Sequence, residues 1–145
     1  DPSRKQFAWG GAADLSAKLW LDTDGKNLLL RADVNDDKHV AAATPEEMWK
    51  ADAVQFIIKA PGQTGFWEIG LGQCADGPLA FVWNRPAGGE DIAKSVVLKT
   101  TQIEGGLRYE ASIPLSSLEG WVFVAPHIGQ DVDPNKFPVL QFENK

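Results

Sequence analysis

Cysteine is nearly absent. Cys74 is the only one, so no disulfide can form within the chain, and no His/Cys cluster has zinc spacing. Stability therefore has to come from a packed core. The 145 residues suffice for one, since a chain of that length buries about two-thirds of the surface its unfolded form exposes. Basic residues are outnumbered, 14 Lys and Arg against 20 Asp and Glu, for a net charge of −6. That balance argues against nucleic acid as a partner, because affinity there comes from cations that neutralise phosphates. No apolar run approaches the roughly 20 residues of a membrane-spanning helix, so no membrane partner is expected. No signal peptide leads the chain. It starts at Asp1-Pro2 and reads as a single domain, residues 1–145, excised or processed from a larger protein. Tyr and Met occur once each and His twice, whereas six Trp and seven Phe make a heavy aromatic load. Some of those rings belong in a core, and some are free to meet a ligand.

What is present is alternation of apolar and polar residues, the mark of half-buried strands. Residues 17–21 and 28–34 form a first pair across the turn Asp22-Thr23-Asp24-Gly25-Lys26-Asn27. In the second strand Leu28, Leu30, Ala32 and Val34 point one way, and Arg31 and Asp33 the other. Residues 54–59 set Val54, Phe56 and Ile58 inward and Gln55 outward. Residues 66–71 set Trp67, Ile69 and Leu71 inward and Glu68 outward. Further strands are expected at 79–83, 95–101, 107–113, 121–124 and 139–142, with Gly105-Gly106 turning a hairpin. Thr44-Pro45-Glu46-Glu47 reads as a capping box opening one or two helical turns over 45–50, and 114–118 reads as another. Many short strands between Gly/Pro turns predict an all-β fold, an antiparallel β-sandwich of jelly-roll or immunoglobulin-like type.

Several segments, taken in order, resemble the family 9-like carbohydrate-binding modules, which are DOMON-like β-sandwiches. They are Trp9-Gly10-Gly11-Ala12-Ala13-Asp14-Leu15-Ser16-Ala17, Asn27-Leu28-Leu29-Leu30, Val34-Asn35-Asp36-Asp37-Lys38-His39 and Met48-Trp49-Lys50-Ala51-Asp52-Ala53-Val54-Gln55-Phe56. Tyr109-Glu110-Ala111-Ser112-Ile113-Pro114 and the stretch from Ile128-Gly129 through Asp133-Pro134-Asn135-Lys136-Phe137 extend the likeness over nearly the whole chain. The resemblance implies a sandwich that holds sugar rings between tryptophans, beside polar strand residues. Trp49 matches the first of those tryptophans and Gln55 the polar residue that follows. The second tryptophan has no counterpart, since Asp131 and Val132 stand where it is expected. A family strand between Ile113-Pro114 and the closing motif is also missing, because 116–120 run almost directly into 121–124. Structural calcium, common among sugar-binding sandwiches, would fall on Asp36 and Asp37 at a strand end, with Asp131 and Asp133 as further oxygen donors.

The carbohydrate-binding candidates are thus Trp49, Gln55, Glu68, Trp83 and Arg31, with Asp33 beside them. An exposed indole at a loop–strand junction stacks on the apolar face of a pyranose, and planar amides, carboxylates and guanidiniums suit pairs of hydroxyls. Each has a plainer fate: Trp49 as rim packing, the polar set as an ordinary solvated face, the aspartates as turn caps. Trp83 shares its parity with Leu79 and Phe81, which argues for the core over a stacking platform. Trp67 belongs to the core, and Trp20, opposite Leu19 and Leu21, is either exposed or covers a second face.

No catalytic motif is present: no Gly-x-Ser-x-Gly, no His-Glu-x-x-His and no phosphate loop. The expectation is a non-enzymatic module that binds an oligo- or polysaccharide for a covalently linked catalytic domain, in a secreted, extracellular or periplasmic protein. A docking sandwich with no sugar affinity is the alternative. A haem-binding sandwich, with Met48 and His39 or His127 as axial ligands, is a more remote one.

Overall fold

A computed structural model describes residues 12, 15–36, 38–59, 64–89 and 91–118, together with the backbone of 122–123 and 139–143. Nine strands lie among the described residues: β1 (Leu15–Thr23), β2 (Asn27–Asp36), β3 (Ala53–Lys59), β4 (Trp67–Cys74), β5 (Gly77–Asn84), β6 (Val97–Ile103), β7 (Gly106–Pro114), β8 (Val122–Phe123) and β9 (Val139–Glu143). They make a four-stranded sheet, β1-β2-β7-β6, and a five-stranded sheet, β5-β4-β3-β9-β8.

The sandwich is the expected all-β fold. On β2, β3 and β4 the inward positions are those the alternation assigned. Leu28, Leu30 and Ala32 of β2 and Leu107, Tyr109, Ala111 and Ile113 of β7 face Phe56 and Ile58 of β3 and Trp67, Ile69 and Leu71 of β4. All are buried, and each large aliphatic contributes about 1.5–3 kcal/mol through the water it no longer meets. Tyr109 is buried among them, and burial pushes its phenol up to about 12.

Three details differ from the expectation. The sheets are not wholly antiparallel, because Ile57–Lys59 of β3 run parallel to Val139–Gln141 of β9. Ser95 is not in a strand. It ends a 3₁₀ turn, Ile92–Ser95, that Asp91 caps by accepting the Ala93 amide at 3.2 Å, and the turn sets Ile92 fully into the core. The turns at 45–50 and 114–118 form as 3₁₀ segments, Met48–Lys50 and Leu115–Leu118. At the β6–β7 hairpin Gly105 has φ +73°, a conformation that side chains resist, so the glycine sets the turn.

Candidate functional site

The outward face of the five-stranded sheet is not a plain polar surface. Outward positions of β4 are Glu68, Gly70 and Gly72, with Cys74 buried at the strand end. The two glycines leave a trough, and Met48 fills it. A methyl group at Gly72 would come within 2.7 Å of the Met48 Sδ, and one at Gly70 within 3.0 Å of the same atom. One at Gly70 would also collide with the Trp83 ring, lying 2.6 Å from Cζ3. Ala42, Met48 and Cys74 thus make a second apolar cluster, joined by Leu79, Phe81 and Trp83 and separate from the core between the sheets.

This corrects the reading of Trp83. Its parity with Leu79 and Phe81 holds, but all three side chains belong to the outer face of the five-stranded sheet. The strand bulges at this point: Ile69 pairs with Val82 and Glu68 with Asn84, leaving Trp83 as the extra residue. The half-buried indole packs edge-on to Phe81, with centroids 5.5 Å apart, and donates its N–H to the Glu46 carbonyl at 3.1 Å. That bond ties β5 to the turn that carries Trp49.

Trp49 follows from Met48. In a 3₁₀ turn successive side chains point about 120° apart, so burying Met48 completely swings its neighbour outward. Trp49 is 60% exposed. Lys50 reaches back over it, its Nζ 5.2 Å from the ring centroid and 2.6 Å from the Glu47 carboxylate. Of the expected capping box one bond forms, from the Glu47 amide to the Thr44 hydroxyl at 3.4 Å, ahead of the 3₁₀ segment that Glu47 itself precedes.

Gln55 lies opposite Gly70, and Glu68 opposite Ile57, so Gln55 and Glu68 are diagonal neighbours on adjacent strands of this same face. Trp49, Gln55, Glu68 and Trp83 therefore all belong to the outer side of one sheet or the turn laid on it. Arg31 does not. It lies on the outer face of the four-stranded sheet with Asp33, where both guanidinium nitrogens Nε and Nη2 donate to the Asp33 carboxylate at 3.1 and 2.7 Å. Trp20 is there too, 42% exposed, with the Arg31 guanidinium 4.5 Å from its ring centroid.

Behind the Trp49 turn, Asp52 is fastened to Val40 from both directions. The Val40 amide donates to the Asp52 carboxylate, and the Asp52 amide donates to the Val40 carbonyl at 3.0 Å. A pocket of about 510 Å³ opens at this end of the sandwich, its lining including Asp36, His39, Asp52, Gln102, Leu107 and Tyr109. Burial, and then the nearby Asp36 charge, raise the Asp52 carboxyl above its usual range, opposed by the Val40 amide and by His39, whose Nδ1 lies 3.6 Å away. No serine, cysteine or lysine is among the described lining residues.

Calcium needs roughly 6–8 oxygens. Asp36 accepts the Lys38 amide at 2.9 Å, and among the described residues no group of three or more His, Cys, Asp or Glu side chains is placed to hold a metal. Asp37, Asp131 and Asp133 lie outside the described residues, as do Trp9, Trp121, His127 and Val132. The haem alternative loses its ligand, because the Met48 thioether is sealed against Gly70 and Gly72. The residues that sequence reasoning missed are those glycines. The signal was there in Ile69-Gly70-Leu71-Gly72, since glycines at alternate positions of a strand mark a close approach on one face.

The family model described as carbohydrate family 9 binding domain-like matches residues 3–136. No curated protein matches the chain, and no solved structure does.

Proposed function

Since the chain belongs to the carbohydrate family 9 binding domain-like family, we propose that it is a non-catalytic domain that stacks a sugar ring on Trp49. Gln55 and Glu68 would then bind hydroxyls beside that ring. The observation that carries this reading is the exposure of Trp49, 60% of a large apolar side chain held out by a buried neighbour. A pyranose offers that ring a C–H face at little desolvation cost, worth about 0.5–1.5 kcal/mol beyond the area covered. The neighbouring amide and carboxylate supply donors and acceptors in fixed planes. Trp83 supports the site from beneath through the Glu46 carbonyl. The parent protein would be a secreted polysaccharide-degrading enzyme, with this domain holding it at its glycan.

One observation favours a second reading, a docking sandwich without sugar affinity. Lys50 stands over the Trp49 ring, and no second ring is paired with it among the described aromatic contacts.

Calorimetric titration of neutral oligosaccharides decides between the two. The wild type binds at least one of them, and Trp49→Ala weakens that binding about tenfold or more, a difference of about 1.4 kcal/mol. Absence of binding by the wild type establishes the docking reading. Equal binding by the variant moves the site away from Trp49.

A further inference from the structure

The outer face of the four-stranded sheet is built by register. Trp20, Arg31, Glu110 and Lys99 stand side by side in one row across β1, β2, β7 and β6. Lys18, Asp33, Arg108 and Thr101 make the next row. At the centre one carboxylate is held by two guanidiniums. Arg31 gives Nε and Nη2 to Asp33 at 3.1 and 2.7 Å, and Arg108 gives the same two nitrogens at 2.6 and 2.8 Å. Both arginines hold the Asp33 carboxyl well below the usual carboxylate range.

Each arginine uses only one of its donor edges. The Nη1–Nη2 edge, which can donate to a carboxylate end-on, is engaged by no described contact in either residue. Asp33 cancels one of the two positive charges and fixes the orientation of both planes. Trp20 stacks on Arg31 and holds that plane further. The four cations Lys18, Arg31, Lys99 and Arg108 face Asp22, Asp33 and Glu110, an excess of positive charge on one face of a chain whose net charge is −6.

From this geometry we propose a second binding surface, for a polysaccharide chain that carries carboxylates, in which uronate groups dock on the free edges of Arg31 and Arg108. A pre-oriented guanidinium matches a carboxylate in a planar fork and loses little freedom on binding. A neutral sugar leaves the positive excess unmatched. The surface is independent of Trp49, which belongs to the other sheet, and it stands or falls separately from the Trp49 reading.

The test is titration of a polyuronate oligosaccharide and its methyl-esterified, uncharged counterpart at low salt. The wild type binds the acid, binds the ester at least about tenfold less tightly, and loses affinity for the acid as salt screens the contact. Arg108→Gln and Arg31→Gln each weaken the acid about tenfold or more, the scale of one charge-assisted hydrogen bond. Arg31→Lys and Arg108→Lys keep the charge and lose the fork, so they weaken the acid even if a glutamine variant fails to fold. The proposal is overturned if the wild type treats acid and ester alike or if the arginine variants bind normally.

Discussion

Beyond the core, the two sheets turn different residues outward. On β4 the outward positions are Glu68, Gly70 and Gly72, and the chain lays a turn over the two glycines, with Met48 as the plug. On β2 they are Leu29, Arg31, Asp33 and Asn35, and among the described residues Arg31 and Asp33 are met there by Trp20, stacked on Arg31, and by ion pairs. The first face gains from apolar packing that holds one aromatic ring proud of the surface. The second gains from charge pairing, which orders polar groups without covering them. Packing of the first kind costs kilocalories to disturb, whereas exposed ion pairs contribute about 0–1 kcal/mol each. The faces should therefore respond to mutation on different scales.

Met48→Ala is the largest way to test that contrast. The side chain is fully buried, and its removal opens a cavity over Gly70 and Gly72. Truncation of a buried Met costs about 2–5 kcal/mol, and a satellite cluster that can settle into the gap belongs at the low end. The denaturant midpoint falls accordingly, and sugar affinity falls with it, because the outward swing of Trp49 depends on Met48 being seated. Met48→Leu conserves volume and should keep both to within about 1.5 kcal/mol. A Met48→Ala variant with unchanged midpoint would mean the turn is held by its hydrogen bonds alone.

Gly70→Ala comes next. The added methyl meets the Trp83 ring, which is pinned by its bond to the Glu46 carbonyl and by Phe81. A rigid ring cannot yield as a flexible chain end does, so overpacking here costs about 1–2 kcal/mol. Gly72→Ala meets only Met48, whose three rotatable bonds let it move aside, and should cost less. Thermal unfolding of the two single variants gives the ranking. A larger loss at Gly72 would show that Met48, and not Trp83, is the rigid member of the cluster.

Much of this was legible in the residues, because alternation fixes which side chains share a face. Leu28, Leu30, Ala32, Val54, Phe56, Ile58, Trp67, Ile69 and Leu71 all pack where their spacing put them. Alternation does not say which side of the sheet a set occupies. Leu79, Phe81 and Trp83 were one set, but an apolar cluster exists on both sides of the five-stranded sheet, so shared parity could not choose between them. Nor does it say which sheet a strand joins, which is why Arg31 read as a partner of Gln55 although the two stand on opposite outer faces. The parallel pairing of β3 with β9 joins segments far apart in sequence, and no local pattern encodes it. Gln55 and Glu68 were placed correctly as outward neighbours because β3 and β4 form one hairpin, where sequence order and spatial order coincide.

The smallest predicted effect lies on the charged face, and it depends on pH. Arg108 and then Arg31 hold the Asp33 carboxyl below its unfolded value of about 3.9. A carboxyl lowered on folding binds fewer protons in the folded state near that value, so it adds stability above pH about 4 and loses it as the pH falls further. Asp33→Asn removes this contribution while keeping the shape of the side chain. The wild type should therefore exceed the variant by at most about 1 kcal/mol at neutral pH, with the gap closing through the acid limb of an unfolding series. Asp52 moves the other way: raised by burial, it opposes folding when ionised, so against Asp52→Asn the wild type gains stability as the pH falls. If the Asp33 gap stayed constant down to pH about 2, the two arginines would be contributing through the packing of their stems and not through the charge they share. The contrast between a packed face and a paired one would then disappear.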